Sequence, residues 1–254
     1  MIYTMRSDIR RAILSKGFLA GVIGIVAVIA LTSVTGILKT FANSPLLPSS
    51  YHALIVVNAL PSDPVVLAMP IICTLPFTPA FVDDMQSGFI KQFLPRTGIN
   101  AYIWGKLAAC AIAGGFVLFS GIVLTYVLST LVFMPLETTF TEGGVVGTSF
   151  MLLLGKAAVF FFSGMFWSLV GLTVAGVTQS KYMAYASPFI FYYILIILYE
   201  RYFGTFYYLY PKEWLNPSQI WGQGNWGLIL FLTLLTLAIS VVFTIFARRK
   251  LGNG

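Results

Sequence analysis

The sequence predicts an all-α polytopic membrane protein: six transmembrane helices, an N-terminal interfacial amphipathic helix, and re-entrant or interfacial helices before the last span. Three observations predict this. Hydrophobic residues make up 58% of the chain and charged residues only 9%, where soluble domains carry about a quarter charged. Several uncharged apolar runs exceed the roughly 18 residues that cross a hydrocarbon core. The basic residues behind the net charge of +7 gather at the ends of those runs, as the positive-inside rule expects. A nucleic-acid binder would cluster them on a soluble face, so no nucleic-acid partner is expected.

Residues 1–254 read as one transmembrane domain. In residues 1–16, Ile2, Met5, Ile9 and Ile13 share one helical stripe, and Arg6, Arg10, Arg11 and Lys16 fall on the other side. Such a helix suits the interface plane. The apolar run Gly17–Leu38 is too long for a cleavable signal core and reads as the first span. Its Gly17, Gly21 and Gly24 would let another helix approach closely. Residues 39–62 read as an external loop with a short interfacial helix over Ala53–Leu60. The single histidine, His52, is expected to be solvated there.

The second span, 64–82, carries Pro64, Pro70, Pro76 and Pro79 and is expected to be kinked. The third, 107–133, opens with the small-residue run Ala108–Gly115. A second external loop follows over 134–148, with Glu137 and Glu142. Its glycines do not make a phosphate-binding loop, because no Gly-Lys-Ser/Thr follows them. The fourth span, 149–175, holds Lys156 on a polar stripe with Ser149 and Ser163. An intramembrane lysine is a functional-site candidate that can also snorkel outward. The fifth span, 182–199, reads as interrupted at Ser187 and Pro188. The segment 200–225 is too aromatic for an ordinary loop and reads as external re-entrant or interfacial helices. The sixth span, 226–247, ends in Arg248, Arg249 and Lys250. Cys73 and Cys110 read as small buried residues.

With both termini inside, eleven of the fifteen Lys and Arg fall on internal stretches and only Lys39, Arg201 and Lys212 on external ones. This predicts a multi-pass protein of the cytoplasmic membrane with both termini cytosolic. It also leaves one long polar run, 83–106, on the cytosolic side. That run is the place where a soluble partner would grip.

The layout resembles the ABC type-2 permease subunits of ATP-binding-cassette exporters. The sharpest local match lies in the polar run: Asp83 or Asp84, Ser87-Gly88, the apolar positions Phe89, Ile90, Phe93 and Leu94, then Pro95, and Gly105-Lys106 at the next span. The family usually shows Glu where Asp stands here and Gly-Thr where Gly88-Phe89 stands. The resemblance implies two cytosolic ABC ATPase subunits and a second permease subunit, as homodimer or related heterodimer. Asp83–Arg96 would be the coupling segment, with Asp83, Asp84, Gln86, Ser87, Gly88, Phe89, Lys91, Gln92, Phe93 and Arg96 at the contact. Thr97–Lys106, with Tyr102, Trp104 and Lys106 at headgroup level, would anchor the segment to the third span. ATP and Mg would be bound by the partner and no cofactor by this chain.

An intramembrane enzyme would need converging carboxylates, histidines or metal ligands, and the spans contain no Asp, Glu or His. No catalytic or metal-binding residue is expected, and the chain is not expected to be an enzyme. A non-transporting scaffold or sensor that recruits an ATPase is the alternative class. Lys156, Ser163, Tyr185, Phe189 and Tyr192 are candidate pathway residues. Their aromatic character suits a hydrophobic, peptide-like or drug-like substrate; a polysaccharide or lipid exporter of the same family is the second alternative.

Overall fold

The computed structural model describes residues 2–43, 47, 50–137, 145–217, 221 and 225–252. Its eleven α-helices are α1 (Ile2–Ile13), α2 (Lys16–Asn43), α3 (Tyr51–Ala59), α4 (Asp63–Ile72), α5 (Ala80–Gln86), α6 (Phe89–Thr97), α7 (Ile99–Phe133), α8 (Val145–Thr178), α9 (Lys181–Arg201), α10 (Pro211–Leu215) and α11 (Asn225–Gly252). Among the described residues there is no strand, only an isolated bridge between Leu47 and Glu137. Five helices (α2, α7, α8, α9 and α11) are long and apolar enough to cross a membrane, and α3 with α4 makes a sixth if that bent pair is one span. The chain is therefore an all-α polytopic membrane protein.

The hydrophobic pattern sorts the helices into centre and periphery. In α7 and α8, 61% and 67% of the most apolar stretch is buried, against 17% in α2 and 22% in α11. Small residues explain why α7 and α8 form the axis. A Cβ on Gly114 would meet the Ser168 side chain at 2.5 Å, and one on Gly164 would meet the Gly114 carbonyl at 2.6 Å. The two backbones touch because neither position carries a side chain. The glycines of the first span work the same way: a Cβ on Gly21 would fall 2.6 Å from Val117.

The second span departs from the expected kinked helix. Pro61 cannot continue α3, and α4 starts afresh with Pro64 in its first turn, so the two helices meet at 70°. The apolar faces of α3, including Val56 and Val57, are buried against the bundle, so α3 is a packed element rather than a helix lying on an external loop. Pro76 and Pro79 then prevent α4 from continuing, and residues 73–79 form turns before α5 begins. The Pro76 carbonyl freed by this break accepts the hydroxyl of Ser15 at 3.1 Å. Ser15 also caps α2, accepting the Phe18 N–H at 3.0 Å.

Other boundaries shift by simpler causes. The third span begins at Ile99, eight residues before the expected position, because Asn100–Lys106 carries no proline and continues the helix. Ser187 and Pro188 do not interrupt α9, which runs through both. The aromatic segment contains a 3₁₀ turn at Tyr207–Leu209 and the short α10. Most of the loop expected over 134–148, including Glu142, lies outside the described residues.

The helix α1 and the end of α11 lie at one end of the bundle. The C-terminal Lys250 donates to the Gly176 carbonyl at 3.2 Å, at the end of α8. Asp8 of α1 meets Lys106 near the start of α7 at 3.3 Å. The segment 83–98 and the α8–α9 turn close the same end. Residues 50–62, 134–137 and 201–217 lie at the other.

Candidate transmission site at the junction of α1, α5 and α7

The site forms where three stretches distant in sequence converge. A positive-φ glycine, Gly88 at φ 72°, turns the chain between α5 and α6, and Gly98 at φ 77° turns it again into α7. Both turns need the left-handed freedom that glycine supplies without strain. They fold the polar run back so that α5 faces the first turns of α7. Gly105 then admits α1: a Cβ there would stand 3.3 Å from the Asp8 carboxylate and 3.9 Å from the Met5 backbone.

At the centre lies Lys106, 1% exposed. Its Nζ is 2.8 Å from Asp84 Oδ2 and 3.3 Å from Asp8 Oδ1. The Tyr102 hydroxyl donates to the same Asp84 oxygen at 2.8 Å, and Arg11 approaches the other at 3.8 Å. The ammonium sits over the Phe77 ring at 4.9 Å. Two carboxylates and two cations balance, and every buried charge has a partner. That is the condition under which a charge cluster can be held away from water.

Around this cluster the segment 83–97 is tied down on a second side. Asp83 pairs with Lys181 at 2.5 Å, and Gln86 donates to the Gln179 carbonyl at 3.4 Å. The two adjacent aspartates thus point to different neighbours, Asp84 inward to α7 and Asp83 sideways to the α8–α9 turn. Phe89 and Phe93 stack at 4.9 Å, and Phe93 packs edge-on against Tyr102 at 6.1 Å. Phe89, at 42% exposure, is the outward member of that pair. A cleft of about 280 Å³ between α1 and α6 opens over Asp8, Arg11, Phe89 and Lys106.

The expected contact residues therefore separate. Gln86, Ser87 and Phe89 lie at the surface. Asp84 does not: at 3% exposure its charge serves the chain's own Lys106 rather than a partner. Tyr102 and Lys106 are buried within the protein, while Trp104 is 47% exposed. The side chains of Lys91, Gln92 and Arg96 lie outside the described residues. Asp8 was missed by sequence reasoning; the signal was that it is the one acidic residue in an otherwise basic amphipathic helix.

The candidate pathway residues do not share one surface. Ser163 is buried beside Met69, and Tyr192 is buried with its ring 5.4 Å from Trp167. Phe189 stacks on the exposed Tyr193 at 6.2 Å, on the outer face of α9 with the half-buried Tyr185. Lys156 is half-buried and reaches Asn216 at 3.4 Å, toward the aromatic segment. The Ser149 side chain lies outside the described residues.

A second polar cluster closes the opposite end. His52 is not solvated but 2% exposed, and its Nδ1 lies 2.7 Å from Glu137 Oε1. The same carboxylate accepts the backbone N–H of His52 at 2.7 Å and of Ser50 at 3.0 Å, at the start of α3. On the same face, Lys212 of α10 pairs with Asp63 at 2.8 Å, which raises the ammonium's proton affinity above the ordinary lysine value.

The chain matches no protein-family model, no curated protein and no solved structure.

Proposed function

We propose that the chain is the permease subunit of an ATP-binding-cassette exporter of the type-2 kind, moved by a separate cytosolic ATPase. The observation that carries this reading is the buried cluster of Asp8, Asp84, Tyr102 and Lys106. A segment that receives motion from a partner must pass it to the spans without slack. A charge-balanced buried contact is stiff in that sense, because pulling Asp84 away strips Lys106 of the nearer of its two carboxylates. α5 and α6 receive the push, Lys106 passes it to α7, and α1 moves with them. The half-exposed Phe89 offers the partner an aromatic anchor.

In this reading two copies, or this chain and a related one, form the pathway in the cytoplasmic membrane, with both termini cytosolic. The exposed aromatic face of α9 suits a hydrophobic, peptide-like or drug-like cargo. ATP and Mg belong to the partner ATPase. The test begins with affinity purification of the tagged chain from native membranes, where a nucleotide-binding subunit is expected to accompany it. Phe89→Asp should then uncouple ATP hydrolysis from transport while the chain still folds. Should the complex and its substrate-stimulated ATPase activity both survive that change, α6 is not the coupling element.

A further inference from the structure

α6 stands as a ridge between two hollows. On its α1 side is the cleft over Asp8, Arg11, Phe89 and Lys106. On its other side, between α6, the start of α7 and the end of α11, lies an apolar slot of about 530 Å³. Ile90, Leu94, Pro95, Ile99 and Leu251 line it, and Lys250 stands at its edge. Ile99 comes eight residues before the apolar run that opens at Leu107, roughly 12 Å along the helix. Leu251 lies past Arg248, Arg249 and Lys250, which close the apolar run of α11. A headgroup layer is about 5–8 Å deep, so the slot opens toward water and not into hydrocarbon. An apolar hollow in that position marks a surface that another protein covers.

Charge decides the chemistry of that protein. The carboxylates at this end of the bundle, Asp8, Asp83 and Asp84, are paired with the chain's own Lys106 and Lys181. Arg6, Arg10, Arg248 and Arg249 are exposed at the same end and form no ion pair among the described residues. The field around the slot is therefore positive, and no described carboxylate of the chain remains there to balance it. Lys250 donates to the Gly176 carbonyl at 3.2 Å and lies 5.3 Å over the Phe246 ring. An ammonium has three donors, so this one retains capacity for a carboxylate.

We infer that the slot receives an acidic amphipathic helix of a soluble partner. Two apolar side chains four residues apart enter between α6 and α11, and a flanking carboxylate meets Lys250. α6 then touches the partner on both flanks, with Phe89 on one and Leu94 on the other. The inference rests on the reading that a soluble partner grips α6, and it holds whether or not that partner is an ATPase.

Benzoylphenylalanine is placed at Leu251 or at Phe89 of the full chain and photolysed in native membranes, and the captured peptides are sequenced. The Leu251 peptide should come from a soluble protein and carry two apolar residues four apart, with Asp or Glu within one turn. Lys250→Glu should weaken binding of that protein to the purified chain about five-fold, and Lys250→Gln less, the scale of an exposed ion pair. Changing the captured carboxylate to Lys should restore binding to the Lys250→Glu variant, a rescue that a misfolded variant would not show. Leu94→Trp, which fills the slot without changing charge, should also weaken binding. Capture of lipid, of a second copy, of a peptide without a carboxylate, or of nothing from Leu251 overturns the inference. So does parent-like binding in Lys250→Glu or Leu94→Trp, or a failed rescue. If Phe89 alone captures a nucleotide-binding subunit, the permease reading stands and this inference falls. If the acidic helix captured from Leu251 belongs to a protein that binds no nucleotide, the inference stands and the permease reading falls.

Discussion

Lys106 Nζ and Asp84 Oδ2 stand 2.8 Å apart with both side chains at least 96% removed from solvent. They are 22 residues apart in sequence and belong to different helices, so the contact closes the whole polar run into a loop anchored at both ends. Asp8 joins from α1 at 3.3 Å. Burying such charges costs several kcal/mol per ion in desolvation, and only mutual attraction with full hydrogen bonding offsets it. The cluster therefore contributes position more than net stability: α1, α5 and α7 have one register in which every charge is matched.

Removing one partner exposes that cost. Lys106→Met should destabilise the protein by about 3–5 kcal/mol, because two carboxylates then face each other in a dry site. The double variant Lys106→Met/Asp84→Asn should be less unstable than Lys106→Met alone, since it removes one orphaned charge and keeps an acceptor for Tyr102. Denaturant unfolding of the four species in detergent measures the coupling. Strict additivity would mean that the residues do not act as a unit.

Gly105 sets how closely α1 can lie. A leucine there would drive its side chain into Asp8 and the Met5 backbone. Gly105→Leu should cost about 1–3 kcal/mol and lift α1 from α7. Trypsin cleavage after Arg10 and Arg11 is the direct readout, and it should accelerate in the variant. Unchanged cleavage would show that α1 is held by other contacts.

At the opposite end, Glu137 gathers three donors: the Ser50 N–H, the His52 N–H and His52 Nδ1. Glu137→Gln cannot accept all three with an amide that presents one oxygen and one NH₂. A buried donor left unmatched costs about 1–3 kcal/mol, and the loss should be local to α3. Hydrogen exchange of the α3 amides should quicken while α8 amides keep their protection.

How far the sequence foretold these features follows from range. Apolar runs and their basic ends are local signals, so the spans α2, α7, α8, α9 and α11 were legible, as was the amphipathic α1. Buried partners are not local. Asp84 and Asp83 are adjacent and chemically identical, and only the fold sends one to Lys106 and the other to Lys181. His52 looked solvated because its loop is polar, yet Glu137, 85 residues on, draws it inside. The 70° bend between α3 and α4 required knowing that Pro61 and Pro64 act together. Prolines in the second span announced a kink, but the helix ends at Ile72 instead, and the Pro76 carbonyl left free there accepts the hydroxyl of the distant Ser15.

Lys212 and Asp63 fix α10 to the start of α4, and this contact carries a pH signature. The folded pKa of Lys212 is raised, chiefly by its hydrogen bond to Asp63. A raised folded value means that the stabilisation is fully present below the unfolded lysine pKa of about 10.4 and is lost as pH rises through the folded value. The difference in melting temperature between the parent and Lys212→Met should therefore be constant through neutral pH and shrink only above about pH 10.4. Because Asp63 is 71% exposed, that difference should stay small. A difference that already changes within the neutral range would assign the effect to another group.

The α7–α8 axis offers the strongest packing test. Gly114 and Gly164 face each other so closely that a Cβ on Gly164 would lie 2.6 Å from the Gly114 carbonyl, a backbone atom that cannot swing aside. A Cβ on Gly114 would likewise meet the Ser168 Cβ at 2.5 Å, an atom that no side-chain rotation can move, and the Cys73 carbonyl at 3.0 Å. Overpacking of this kind typically costs about 1–3 kcal/mol, and Gly114→Ala and Gly164→Ala should each lower the melting temperature, because either change must spread the helices. A cysteine cross-link engineered across α7 and α8 should form more slowly in both. Parent-like stability and cross-linking in either variant would mean that close backbone contact is not what fixes the α7–α8 axis.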